Sequence, residues 1–332
     1  MYKREISLDY IKGILILLVV YGHCLYWFDG NQYSSNYFVA KIIYTFHMPF
    51  FIFLSGYFFS NKINNNIYST IIVRFKRLII PHFFFNIIMI MPIFYFWEVY
   101  GHFITRFSNG TITISSVYHY LTMFWFLWCV FISSIITNIV YIYTKDKKKG
   151  DIILFLISIL FLLISKKQII HIFIDHQHLG TMFIFFAFGV IIHDHICLFT
   201  HRHTKCCSII LYVIYLAIIS FFPEKDYFII SEIGSLAGFI CAYNLFLLLF
   251  NLKWGVGYFL FVSRWTLSIY IYHFAILYAI MKFVNEFYKN FNSAFIILMN
   301  LFIAISVTYA IAIITVYLSK SAFLRKYAFG NK

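Results

Sequence analysis

The sequence predicts an all-α protein, a polytopic transmembrane bundle of about ten helices with both termini in the cytosol. The composition is 62% hydrophobic and 23% aromatic, and charged residues make up only 11% of the chain. Apolar segments of about 17–25 residues recur along the sequence, which is the length an α-helix needs to cross a bilayer. We therefore expect a single membrane-embedded domain over residues 1–332, with no appended soluble domain.

The apolar segments define about ten predicted spans, of which the fifth and sixth are short. These spans lie near residues 9–28, 38–60, 78–97, 117–143, 152–166, 178–193, 207–222, 231–250, 257–282 and 294–318.

Lysine and arginine residues predict the orientation, because cytosolic loops of membrane proteins carry an excess of both. With the N-terminus in the cytosol, the loops on that side receive about seventeen of these residues and the opposite side receives about seven. The pair Lys166-Lys167 is the main exception. This bias also accounts for the formal net charge of +14 without a nucleic-acid partner.

The first span carries ionisable residues that are costly inside a bilayer and are therefore candidates for function. Lys12 and His23 are eleven residues apart, which places them within about 20° of the same helix face, and Asp9 lies on that face too. Asp9 and Lys12 are explained equally well as an interfacial ion pair in which Lys12 extends to the cytosolic surface. His23 lies beyond mid-span in an apolar run, where an imidazole needs a partner, and histidine is the usual general base.

The second span contains Phe46-His47-Met48-Pro49-Phe50 and, further on, Ser55-Gly56. The orientation places His47 roughly level with His23, and the Ser55-Gly56 pair permits close helix approach. A packing helix with a hydrogen-bonded histidine is the alternative, and the residues alone slightly favour it.

Arg74 and Arg77 open the third span on its cytosolic side, three residues apart and predicted on one helix face. Paired guanidinium groups bind phosphate through bidentate hydrogen bonds, although a topological anchor of positive charge is the commoner use. Trp125 and Trp128 begin the fourth span, where aromatic residues form interfacial belts and can also stack on sugar rings.

Ser268, Tyr272 and His273 are the polar residues of the apolar ninth span, and hydrogen bonds between helices would explain them. A segment with His193-Asp194-His195, His201-Arg202-His203 and Cys206-Cys207 has the content of a metal site but no standard zinc spacing. We interpret it as a solvated basic loop and expect no metal. The six cysteines show no disulfide framework and are expected to be free thiols.

The order of these motifs resembles the acyltransferase-3 family of integral-membrane acyltransferases, in particular its fucose 4-O-acetylase-like branch. The resemblance rests on Lys-Gly and Gly-His in span 1, Phe-His-Met-Pro-Phe-Phe and Leu-Ser-Gly-Tyr in span 2, Arg-x-x-Arg-Leu at span 3, Trp-Phe-Leu in span 4 and Ser-x-Tyr-x-Tyr-His in a late span. It extends from about residue 5 to residue 320.

The resemblance implies an O-acetyltransferase of the bacterial inner membrane, with acetyl-CoA as cytosolic acyl donor and no bound cofactor. The acceptor would be a hydroxyl of a cell-surface carbohydrate, such as O-antigen, capsule or another exopolysaccharide, or of its lipid-linked precursor. In this family a basic residue and a histidine with ten residues between them are essential, and they match Lys12 and His23. The paired arginines match Arg74 and Arg77. Many members carry arginine in place of Lys12.

The resemblance also implies a role for each candidate site residue. Arg74, Arg77 and Lys12 would bind the phosphates of CoA, and Asp9 would orient Lys12. His23 would act as general base on the acceptor hydroxyl or carry the acetyl group transiently. The acceptor-binding or cavity-lining residues would be His47, Ser55, Trp125, Ser268, Tyr272 and His273.

Two other function classes fit the same residues. A proton-coupled secondary transporter would use Asp9, Lys12 and His23 as a proton relay. A polysaccharide polymerisation or export protein is the other alternative, although a polymerase would be expected to place its arginines and a large loop on the outer side.

Overall fold

A computed structural model describes residues 5–29, 35–63, 66–85, 124–166, 176–221, 228–288 and 291–330. Within these ranges all regular structure is helical, which confirms the all-α prediction. The α-helices are α1 (Ile6–Asp29), α2 (Ser35–Ser60), α3 (Ile67–Arg74), α4 (Trp125–Thr144), α5 (Lys147–Lys166), α6 (His176–Ile191), α7 (Arg202–Phe221), α8 (Phe228–Asn251), α9 (Val256–Ser263), α10 (Thr266–Tyr288), α11 (Ser293–Leu318) and α12 (Ala322–Tyr327).

Six of the described helices are long and apolar enough to cross a bilayer, and up to eight spans result if each of two bent helix pairs counts as one. The chain is therefore a multi-pass membrane protein. The predicted span 152–166 lies in α5, which is not among the six. Most of the predicted span 78–97 falls after residue 85 and thus outside the described residues, so the count of about ten spans stays a prediction.

The predicted span 257–282 is wrong as a single helix. It consists of α9 and α10, whose axes differ by 90° across Arg264 and Trp265. The amides of these two residues donate to Phe261 and Val262, three residues earlier, which tightens the end of α9 into a turn. Arg264 is exposed at this turn, whereas a straight helix would keep its charge in an apolar run.

A first compact unit comprises residues 1–54 and 192–315, and α1 packs in it against α8, α9 and α10. Gly13 allows the close approach of α9, since a methyl group at this position would overlap the carbonyl group of Phe259. The Tyr10 hydroxyl donates to the Trp254 carbonyl at 2.7 Å and satisfies an acceptor between α8 and α9. The start of the first predicted span is therefore fixed in the core.

A second compact unit comprises residues 55–191 and 316–332. In it α4, α5 and α6 pack on one another, and α3 and the π turn Phe75–Ile79 pack on α4. A methyl group at Gly56 would overlap the Phe186 carbonyl of α6. This contact confirms the predicted close helix approach at Ser55-Gly56.

Candidate functional site

Two charged residues of α1, Asp9 and Lys12, form an ion pair at the start of the first span. Lys12 Nζ lies 3.6 Å from Asp9 Oδ1, one helical turn away, and the two side chains keep 25% and 14% of their surfaces exposed. The pair satisfies both charges where the helix enters the apolar run. Lys12 thus remains accessible to an anion while Asp9 holds its side chain in place.

His23 lies further along α1 in a cluster of aromatic rings from α2 and α10. Its Nδ1 is 3.2 Å from the hydroxyl oxygen of Tyr44. Its ring centroid is 5.3 Å from that of His273 and 4.8 Å from that of Phe274. His23 itself is half-buried, so its imidazole is held by neighbours and still retains accessible surface.

The other two histidines of this cluster each form a hydrogen bond to a backbone carbonyl one turn earlier in their own helix. His47 Nδ1 lies 2.7 Å from the Ile43 carbonyl, and His273 Nδ1 lies 2.9 Å from the Ile269 carbonyl. Because a carbonyl only accepts, both Nδ1 atoms carry the hydrogen, and in a neutral ring Nε2 is then an acceptor. His273 Nε2 is buried and has no hydrogen-bond partner among the described residues, so it is an unused acceptor next to His23.

Gly22 explains how Tyr44 reaches His23. A methyl group at Gly22 would come within 3.1 Å of Tyr44 Cε2, so the glycine provides the space that the phenol ring occupies. The Tyr44 ring also contacts His47 edge to face, with centroids 4.9 Å apart. Sequence reasoning missed Tyr44, although its position one helical turn before His47 was a usable signal.

Ser268 and Tyr272 share α10 with His273 but differ in their surroundings. Ser268 is buried, five residues before His273, and Tyr272 is half-buried next to it. The ring contacts that α10 makes with His23 come from His273 and Phe274. The first unit thus holds seven of the predicted site residues, namely Asp9, Lys12, His23, His47, Ser268, Tyr272 and His273.

Arg74 and Arg77 lie in the second unit, at the junction between α3 and the π turn. Arg74 is half-buried with its guanidinium carbon 4.5 Å from the centroid of the Phe59 ring, whereas Arg77 is exposed. Burial and the neighbouring Arg77 lower the pKa of Arg74 to about 10, so it stays cationic at neutral pH. A π turn spaces residues differently from an α-helix, which gives the two arginines different surroundings.

Arg74 has spare donor capacity. Its Nη2 atom is buried and has no hydrogen-bond partner within the described ranges. A buried donor without a partner carries a free-energy cost, and an anionic oxygen would remove that cost through a charge-assisted hydrogen bond. The guanidinium of Arg74 is therefore suited to an anion that enters beside it.

The C-terminal segment packs against the turn that carries Arg77. Ala328 and Phe329 are buried, and Gly330 has a φ of +62°. A methyl group at Gly330 would overlap the Arg77 carbonyl and lie 3.1 Å from Pro81 Cγ. Glycine is required here both for the left-handed backbone and for the close approach.

Trp125 stacks on His178, with centroids 4.4 Å apart and the planes inclined by 30°. One face of this indole is therefore already covered. Trp128 contacts His82 edge to face, with centroids 6.3 Å apart. Ser55 is half-buried near the end of α2, in the same unit.

The basic segment after α6 forms a 3-10 helix, His193–Thr200, and the beginning of α7. His193 Nδ1 lies 2.8 Å from Asp194 Oδ1. Over the described ranges, no group of three or more His, Cys, Asp or Glu side chains is placed to hold a metal ion. The six cysteines all lie in the described ranges, and no disulfide joins them there.

Comparison with known proteins provides independent information. A family model described as an acyltransferase domain matches residues 5–317. Two relatives are nodulation proteins NolL, one from Sinorhizobium fredii that is 34% identical over 146 residues and one from Mesorhizobium japonicum that is 32% identical over 143 residues. Each match covers 41% of this chain and 37% or 36% of the relative, so little more than a third of the relatives' length is spanned. No solved structure matches the chain.

Proposed function

The chain belongs to the acyltransferase-3 family, and from this premise we propose that it is a membrane-bound O-acetyltransferase of the bacterial inner membrane. The acetyl group comes from cytosolic acetyl-CoA and is delivered to a hydroxyl of a cell-surface carbohydrate or of its lipid-linked precursor. The observation that supports this most is the half-buried His23 in a cluster of three imidazoles within an apolar span. An ionisable side chain inside a membrane span carries a free-energy cost, so a residue kept there usually has a function.

His23 is proposed to work at the reacting atoms. Its imidazole takes the proton of the acceptor hydroxyl while the hydroxyl oxygen attacks the thioester carbonyl. The carbonyl carbon–sulfur bond then breaks, and the CoA thiolate leaves and receives the proton. A transient acetyl-imidazole on His23 is the alternative route to the same ester.

The donor is proposed to bind through its phosphates. CoA is a polyanion with a 3′-phosphate and a pyrophosphate, and Arg74 offers a buried donor without a partner among the described residues. The exposed Arg77, in the same unit as Arg74, contributes further positive charge. Lys12, in the first unit, stays a prediction from the sequence. His47, Ser55, Trp125, Ser268, Tyr272 and His273 remain proposals for the acceptor side.

Replacing Arg74 by lysine is expected to raise the KM for acetyl-CoA about ten-fold and to leave kcat nearly unchanged. Lysine keeps the charge but loses the planar fork that binds phosphate oxygens in pairs. The measurement is the release of CoA thiol as a function of acetyl-CoA concentration. Lys76→Ala removes an exposed charge from the same turn and is the matched control. A KM for Arg74→Lys equal to that of wild type would remove Arg74 from the donor site.

Replacing Gly330 by alanine is expected to raise the KM for acetyl-CoA about five-fold, with kcat retained. The left-handed backbone costs a residue with a Cβ about 1–2 kcal/mol, and the methyl group also displaces the Arg77 turn. Gly255→Ala introduces the same strain, at a φ of +59°, in the first unit and serves as the control. If both variants change KM equally, the effect is general strain and Gly330 has no role in donor binding.

A proton-coupled transporter is the second candidate, and the 90° bend between α9 and α10 favours it. Broken spans are typical of transporters, in which they expose backbone dipoles to substrate. Inverted membrane vesicles distinguish the two functions. Acetyltransfer predicts labelled glycan from labelled acetyl-CoA, whereas transport predicts solute accumulation driven by a pH gradient and an unlabelled glycan.

A further inference from the structure

Tyr44 provides a hydrogen-bond contact to the Nδ1 atom of His23. The Nδ1 atoms of His47 and His273 face backbone carbonyls, but the Nδ1 of His23 faces the Tyr44 hydroxyl at 3.2 Å. A hydroxyl can donate or accept, so it is compatible with either state of the ring. Of the three imidazoles, only that of His23 is half-buried, with 2% of His47 and 0% of His273 exposed.

The position of the Tyr44 oxygen is fixed by the packing of its ring. Gly22 leaves the space for one edge of the ring, and His47 contacts it at an interplanar angle of 88°. Tyr44 is 39% exposed, and its hydroxyl oxygen has lone pairs that can accept from His23 Nδ1 while its own hydrogen points away from the ring. The packed Tyr44 ring therefore places its hydroxyl oxygen where it can accept a hydrogen bond from His23 Nδ1.

We infer that Tyr44 is a positioning residue that holds the His23 ring by accepting a hydrogen bond from its Nδ1–H, so that Nε2 is the atom that receives the proton of the acceptor hydroxyl. This inference rests on the proposed acetyltransfer. A ring with its hydrogen on Nε2 has no lone pair there and cannot act as a base at that atom. When Nε2 takes the proton, the Nδ1–H bond to the Tyr44 oxygen becomes charge-assisted and stabilises the imidazolium.

One proton moves in this step, from the acceptor hydroxyl through His23 to the CoA thiolate. The acceptor hydroxyl loses one proton to Nε2 as its oxygen forms the ester bond, and the carbon–sulfur bond of the thioester breaks. Nε2 then gives that proton to the CoA thiolate. Nδ1 and the Tyr44 oxygen each keep their own hydrogen throughout, so Tyr44 acts only through His23.

The test measures kcat and KM separately for purified protein in proteoliposomes. The probes are acetyl-CoA and de-O-acetylated surface polysaccharide from the strain that carries the gene, and released CoA thiol is the readout. Tyr44→Phe removes only the hydroxyl and is expected to lower kcat about ten- to hundred-fold, with the KM for acetyl-CoA within about two-fold of wild type. Tyr26→Phe, a 56% exposed neighbour on α1 whose ring centroid is 6.5 Å from that of Tyr44, is expected to match wild type.

Gly22→Ala provides a second test that leaves the hydroxyl in place. The added methyl group displaces the Tyr44 ring, and a fall in kcat of about three- to ten-fold without a change in KM is expected. The inference is overturned if Tyr44→Phe retains kcat within two-fold of wild type, or if it changes KM alone, while His23→Ala is inactive. Absence of acetyltransfer in the wild-type protein would instead overturn the proposed function.

Discussion

Replacing His23 by alanine is expected to lower the rate of acetyltransfer by about 10²–10⁴-fold, because general base catalysis contributes about that much. The loss should appear in kcat, since the donor phosphates are proposed to bind at Arg74 and Arg77. The variant is expected to fold, because His23 is only half-buried. Its partner Tyr44 is 39% exposed, so the loss of His23 does not leave a buried hydroxyl without a partner. The measurement is incorporation of labelled acetyl groups into glycan, normalised to the amount of folded protein.

His195→Ala is the matched control for this variant. His195 is an exposed histidine in the 3-10 helix after α6, so its loss should leave both activity and folded yield unchanged. A His23→Ala protein with wild-type kcat would refute the proposed general base and also the acetyl carrier. A variant with normal kcat per folded molecule but a reduced yield would assign His23 a packing role instead.

Replacing Gly13 by alanine is expected to have the largest effect on stability. The new methyl group would overlap the backbone carbonyl of Phe259, which α9 cannot move aside as it could a side chain. Overpacking of this kind costs on the order of 3 kcal/mol in the free energy of unfolding. We expect a lower thermal unfolding midpoint in detergent and a strongly reduced yield of folded protein.

Gly257→Ala offers the same chemical change in an open position. Gly257 lies in α9, and a methyl group there would meet no atom within 4 Å. Because alanine is the better helix former, this variant should gain up to about 1 kcal/mol in the free energy of unfolding. Equal unfolding midpoints for Gly13→Ala and Gly257→Ala would show that α1 and α9 do not pack as closely as described.

The sequence predicts helix lengths well where a long apolar run ends at polar residues. The predicted spans 9–28 and 294–318 correspond to spans at Ile6–Tyr26 and Ser293–Leu318. The 90° break after Ser263 could not be predicted in this way, because a hydropathy average over many residues is hardly changed by one arginine. The π turn after Arg74 has no compositional signal either, since it differs from an α-helix only in its hydrogen-bond partners.

The sequence predicts some residues of the candidate site but not their contacts. His23, His47 and His273 stand out in the sequence because a polar side chain in an apolar span needs a partner. The contacts of His23 with His273 and of Tyr44 with His23 and His47 depend on the packing of α1, α2 and α10, which helical periodicity does not specify. Tyr44 itself is one of 27 tyrosines in the chain, so residue type alone could not single it out.

The role of His23 in acetyltransfer is tested by NMR analysis of the surface polysaccharide from a strain that lacks this gene and is complemented with either wild-type protein or His23→Ala. We expect O-acetyl signals to disappear on deletion, to return with wild type and to stay absent with His23→Ala at equal protein abundance. Identical polysaccharide spectra with and without the gene would contradict the proposed acetyltransfer. Full restoration of the signals by His23→Ala would contradict the role of this imidazole.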